Sequence, residues 1–218
     1  MENYLNLLSI LILVSSFILV ANKRVNSYIR TFRVQSVLLA LVAGVIGVEH
    51  IITKGNYEAL IVGLLTIAIK VIYIPNLLKN TVKKVEYKVE KDFFLNIPIA
   101  ILICCALVII SFFAISSIDS INGLQIKTYL VNSLSVVLIG LFFMISRKKA
   151  IGQIIGFLVI ENGLFTAAIL STQGMPMIVE LGIFFDLLVA VLIMGIFVFR
   201  INENFDSIDI NKLRNLRG

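Results

Sequence analysis

Seven long apolar stretches occupy most of this 218-residue chain: residues 4–21, 34–53, 58–78, 93–118, 126–146, 150–171 and 176–200. About 20 mainly apolar residues in a helix cross the roughly 30 Å hydrocarbon core of a bilayer. The pattern therefore predicts an all-α, polytopic membrane protein with seven transmembrane helices. Composition agrees. Apolar residues make up 59% of the chain, charged residues 15%, and mean hydropathy is +1.02, against about 45–50% apolar and about 25% charged in a soluble domain. Too few polar side chains remain to cover a water-facing surface, which excludes a soluble enzyme, a disordered chain and a disulfide-stapled secreted domain.

The positions of the basic residues give the expected orientation. Lys23, Arg24, Arg30 and Arg33 fall between spans 1 and 2, and Lys79, Lys83, Lys84, Lys88 and Lys91 fall between spans 3 and 4. Arg147, Lys148 and Lys149 separate spans 5 and 6, and Arg200, Lys212, Arg214 and Arg217 lie at the end of span 7 and in the tail. Lys54 and Lys127 are left on the other side, and Lys70 sits within a span. The positive-inside rule puts the N-terminus outside and the C-terminus in the cytoplasm, which requires an odd number of spans. The net charge of +6 is thus read as a topology signal, not a nucleic-acid footprint. The first span follows Glu2 and Asn3 and has no basic leader, which suits an uncleaved helix better than a signal peptide. The chain divides into a front region, 1–92, of three spans and a cytoplasmic loop; a fourth span with an outer loop, 93–125; and a back region, 126–218, of three spans and a cytoplasmic tail.

Ionisable side chains at membrane depth are functional candidates by default. Lys70 is twelve residues into span 3, roughly 18 Å deep at 1.5 Å per residue. Glu161 in span 6 and Asp186 in span 7 reach a similar depth, so all three share one level. Burial disfavours a charged form and a nearby opposite charge favours it, so such a series can hold a proton near neutral pH and hand it on. A static ion pair holding span 3 against spans 6 and 7 is the other reading of the same residues. Glu180 lies about 9 Å from Asp186 along span 7 and about 120° round it, a position suited to an access path. Glu49 and His50, near the outer end of span 2, suit either an access path or simple interfacial solvation.

Gly152, Gly156 and Gly163 share a face of span 6, and Gly182, Asp186 and Ala190 form a stripe on span 7, which predicts close helix packing there. Pro75 follows Lys70 by five residues and removes a helical hydrogen bond, predicting a kink and a polar spot beside the lysine. Cys104 and Cys105 are adjacent and cannot form a CxxC corner. With one histidine besides, the chain offers no catalytic centre and no metal site, so redox metals would belong to other chains.

The last three spans, residues 126–218, resemble the NuoK-type subunit of respiratory complex I: a first helix followed by a basic loop at Arg147, Lys148 and Lys149, an acidic motif running from Gly156 to Glu161 and Asn162, a second acid-bearing helix from Glu180 to Gly195, and a short tail. Leu158 stands where that family has its first glutamate, one turn from Glu161, and Asp186 replaces the second. The chain as a whole resembles the component E membrane subunits of hydrogenase-4-type energy-converting nickel–iron hydrogenases. That resemblance rests on the segment from Lys70 to Pro75, on Gly156 through Gly163, and on the run from Gly174 to Ala190 that carries Glu180 and Asp186. It implies a cytoplasmic-membrane subunit coupling redox chemistry in its partners to proton or sodium translocation. Antiporter-like membrane subunits and a hydrogenase or complex I-like soluble arm would be those partners, and they would hold the nickel–iron and iron–sulfur centres. A structural spacer of the membrane arm and a component of a cation/proton antiporter complex are the alternatives.

Overall fold

The computed structural model describes residues 2–54, 58–84, 96–118, 124–147 and 150–172, and every regular element among them is helical. In chain order these are α1 (Glu2–Ala21), α2 (Val25–Lys54), α3 (Glu58–Thr66), a π-helix (Ile67–Tyr73), α4 (Ile74–Lys84), α5 (Ile97–Ser116), α6 (Leu124–Ser146) and α7 (Ala150–Thr172). Five helices, α1, α2, α5, α6 and α7, are long and apolar enough to cross a membrane. The expected seventh span, 176–200, with Glu180 and Asp186, and the tail beyond it lie outside the described residues.

Large apolar side chains cover the outside of these helices as well as filling the core, and part of the polar set is turned inward. On α1, Tyr4, Leu7, Leu11, Val14 and Ile18 are exposed, while Ser9, Ser15 and Ser16 are buried. The spacing of three and four residues keeps the apolar set on one face. In lipid there is no hydrophobic drive to turn leucine inward; close packing and interhelical hydrogen bonds hold the bundle, and small and polar residues go to the interior. The segment α5 is the most peripheral of the five long helices, with Leu102 and Phe113 exposed over most of their surface. Cys104 on α5 is buried and Cys105 exposed, both as free thiols.

The chain turns sharply at the end of α1. Asn22 caps the last turn, donating its amide Nδ2 to the Ile18 carbonyl at 2.7 Å, and the Arg24 carbonyl already accepts from the N–H groups of Ser27 and Tyr28. Helix α2 therefore begins at Val25, nine residues before the expected boundary at 34. This corrects the sequence reading: Arg30 and Arg33 belong to the first turns of α2, not to a connecting loop. Arg33 donates to Asn76 Oδ1 at 3.1 Å and ties α2 to α4.

The expected third span, 58–78, lies in a helical run from Glu58 to Lys84 that changes geometry partway. In the π-helix the N–H of Ile74 reaches the carbonyl of Ile69, five residues back. The next backbone nitrogen belongs to Pro75, which has no hydrogen to donate, so the wide ladder ends there. The proline's effect is thus a π-helical segment, a distortion frequent at functional sites, and Lys70 sits within it. Further along, α5 begins at Ile97 with Pro98 in its first turn, where proline is tolerated. It ends at Ser116, two residues before the expected 118, and α6 starts at Leu124, two residues before the expected 126.

Glycines set the distance between α6 and α7. A Cβ on Gly156 would come within 2.7 Å of Met144 Cβ and 2.8 Å of its backbone, and one on Gly140 within 2.9 Å of the Ile160 nitrogen. A Cβ on Gly163 would come within 2.8 Å of Val137 Cγ2 and 3.1 Å of the Ser133 carbonyl. Backbone here meets backbone, fixing the rotation of α7 and hence the direction in which residues 161 and 162 project.

Candidate functional site: a buried lysine and its polar chain

Lys70 and Glu161 meet. The lysine Nζ lies 2.8 Å from Glu161 Oε1, and the two side chains are 2% and 6% exposed. Lys70 also donates to Asn162 Oδ1 at 3.3 Å and lies 5.4 Å from the centre of the Phe165 ring. Residues 161, 162 and 165 share one side of α7 through the one- and four-residue spacing of a helix, so the ammonium is enclosed by a carboxylate, an amide oxygen and a ring face.

The contacts continue across the bundle. Asn162 donates through Nδ2 to Gln35 Oε1 of α2 at 3.1 Å. Gln35 donates through Nε2 to Ser16 Oγ of α1 at 3.0 Å, and Ser16 donates to the Ile12 carbonyl at 3.4 Å. Asn162, Gln35 and Ser16 are all buried. The π-helix, α7, α2 and α1 are thus joined at one level by a polar chain through an otherwise apolar core. Glu161 presents a second oxygen, Oε2, that is buried and has no hydrogen-bond donor among the described residues.

Glu49 and His50 are not part of this assembly. They lie near the far end of α2, with Glu49 exposed and His50 half-buried. Gln35 is fourteen residues from Glu49, roughly 21 Å along the helix axis. Asp186 and Glu180 lie outside the described residues. Sequence reading passes over Ser16 and Gln35 and singles out Asn162 only as a motif position. An uncharged amide in an apolar run is a weaker signal than a charge, yet in a membrane span it too needs a buried partner.

A second buried cation was expected in a basic loop. Arg147 is instead turned inward and is 3% exposed. Its guanidinium lies 4.3 Å from the centre of the Phe143 ring and 5.1 Å from that of Tyr28, and Nη2 donates to the Val20 carbonyl at 3.3 Å. The carbonyl is in the last turn of α1, where the helix dipole favours a cation. The two rings meet edge to face with centroids 5.1 Å apart. Of the expected basic loop, Lys148 and Lys149 lie outside the described residues.

The uncharacterized protein Rv0085 of Mycobacterium tuberculosis is 31% identical over 209 residues, which cover 94% of this chain and 92% of that protein. This chain belongs to its family. Hydrogenase-4 component E of Escherichia coli strain K12, and its counterpart in Shigella flexneri, are 24% identical over 149 residues, 68% of this chain and 69% of theirs. That distant homology supports the hydrogenase-4 component E family, and with the long apolar helices it marks a multi-pass membrane protein. No family model matches the chain, and no solved structure matches it.

Proposed function

We propose that this chain is a membrane-arm subunit of an energy-converting hydrogenase-type complex in the cytoplasmic membrane, and that the Lys70–Glu161 pair couples redox chemistry in its partners to the movement of protons or sodium ions. The similarity to hydrogenase-4 component E supports the setting. Partner chains would be antiporter-like membrane subunits and a soluble arm holding the nickel–iron and iron–sulfur centres, with no cofactor in this chain. The N-terminus would face outward and the C-terminus the cytoplasm, with Asp186 and Glu180 extending the path on span 7.

The observation that carries the ion-coupling role is the unequal treatment of the two Glu161 oxygens. One is bonded to an ammonium at 2.8 Å, and the other is buried with no donor among the described residues. A purely structural ion pair holds its helices best when every lone pair is satisfied. An open carboxylate oxygen beside a fixed cation is instead a place where a proton can arrive and leave.

The test is Glu161→Gln in the assembled complex in membrane vesicles, with ion translocation measured beside redox turnover. Translocation should fall to background while assembly survives. Normal translocation in the intact variant complex would overturn the coupling role, and loss of assembly in both Glu161→Gln and Glu161→Ala would mark the chain as a structural spacer.

A further inference from the structure

The donors and acceptors of the buried chain all point one way, and chemistry forces the direction from one end. A lysine ammonium has three donors and no acceptor, so Asn162 must offer it the amide oxygen. The Asn162 NH2 then faces Gln35, which must offer its own oxygen, and the Gln35 NH2 faces Ser16 Oγ. The Ser16 hydroxyl passes its hydrogen to the Ile12 carbonyl, which also accepts from Ser15 Oγ at 2.6 Å and from Gln35 Nε2 at 3.4 Å. That carbonyl is a pure acceptor and ends the series. Every dipole in the chain therefore turns its negative end toward Lys70, and aligned hydrogen bonds polarise one another.

We infer that Gln35 and Ser16 are positioning residues that lock the Asn162 amide with its oxygen toward Lys70, so that the lysine remains the fixed charge of the site. This rests on the reading of Lys70 and Glu161 as the working pair, and it adds which partner changes. A proton arriving at the site binds Glu161 Oε2 and converts the carboxylate to the neutral acid. The ammonium keeps its place because Asn162 still faces it. The amides are also a barrier. A carboxamide nitrogen has no lone pair free to take up a proton, so the series from Asn162 to Gln35 does not conduct one toward α1. Access to Glu161 lies on its Oε2 side.

The experiment follows exchange of the Lys70 ammonium protons with water, by nitrogen-15 magnetic resonance of the full-length protein in lipid bilayers. The signal is assigned by its loss in Lys70→Arg. Gln35→Met keeps the side-chain volume and removes all three side-chain hydrogen bonds, including the one that holds Asn162, and should speed exchange by about tenfold, the effect of one net hydrogen bond. Gln35→Glu retains an acceptor for the Asn162 NH2 and should restore slow exchange. Ser16→Ala, one step further out and a smaller change in packing, should speed exchange by about threefold and serves if Gln35→Met does not fold. Slow exchange in folded Gln35→Met, or in Ser16→Ala where it stands in, would show that volume alone matters and overturn the lock, as would exchange in Gln35→Glu as fast as in Gln35→Met. The measurement does not depend on transport. Fast exchange in Gln35→Met beside normal translocation in Glu161→Gln would sink the coupling role and leave the lock standing, and the reverse pair of results would do the opposite.

Discussion

Lys70 and Arg147 are both sealed from the surface, at 2% and 3% exposure, yet the groups gathered around them differ in kind. Lys70 faces a carboxylate, one oxygen of which is engaged and the other without a donor among the described residues, at the end of a chain of hydrogen-bonded polar side chains. Among the described residues, Arg147 lies against two aromatic rings and donates to a main-chain carbonyl, none of which carries a formal charge. The guanidinium itself is protonated at every physiological pH. One cation is paired with a carboxylate; the other joins the ends of α1, α2 and α6 through two rings and a carbonyl. The separation is small: Val20 is four residues from Ser16, roughly 6 Å along α1. Burial of a cation in a membrane protein therefore does not identify a working site.

The sharpest way to break this contrast is to remove half of the ionic pair. Lys70→Met leaves Glu161 buried beside Asn162 without its cation, and an uncompensated buried charge costs about 3–5 kcal/mol. Thermal unfolding of the purified protein should show that loss. The double variant Lys70→Met with Glu161→Leu should recover most of it, because well-packed apolar residues often replace a buried pair without penalty, while translocation stays absent. A double variant no more stable than the single one would mean that the carboxylate was never held mainly by Lys70.

Arg147→Lys tests the other side of the comparison with a smaller effect. Lysine keeps the charge but has no planar face to lie against Phe143 and Tyr28 and no fork to reach the Val20 carbonyl. About 2 kcal/mol should be lost, the scale of a desolvated cation–π contact, and translocation per assembled complex should not change. A variant of normal stability that fails to translocate would move Arg147 into the working path and erase the distinction drawn above.

How much of this is legible in the sequence follows from the same physics. The long helices can be read from hydropathy because an apolar run of about 20 residues has few other uses. That Lys70 and Glu161 fall at one level, where they meet, can be read as well, because 1.5 Å per residue converts position into height. Rotation cannot be read in this way. With leucine acceptable on both lipid-facing and buried faces, hydropathy does not say that Ser9 and Ser16 of α1 point inward, or that Gln35 reaches Asn162. The glycines come nearest to giving it, since Gly156 and Gly163 mark the face of α7 that meets α6. Two local features escape for other reasons. Proline at 75 predicts an interrupted helix, but whether the chain answers with a kink or a π-segment is settled by its packing. A run of Arg147, Lys148 and Lys149 reads as a solvated loop, since nothing in its spacing shows that Tyr28, more than a hundred residues earlier, will cover the first of the three.

The smallest effect concerns a polar contact outside both cation sites. Asn132 of α6 donates through Nδ2 to Ser9 Oγ of α1 at 2.9 Å, and both side chains are buried. It belongs to neither cation: Ser9 is seven residues from Ser16, roughly 10 Å along α1. Interhelical hydrogen bonds of this kind average about 0.6 kcal/mol in membrane proteins, because the separated helices also find partners for their polar groups. Ser9→Ala should lower stability by about that much and leave both translocation and Lys70 proton exchange at wild-type values. A change in Lys70 exchange in this variant would show that the polar side chains of α1 act as one connected unit, and that the chain ending at Ile12 extends a turn further than its hydrogen bonds trace.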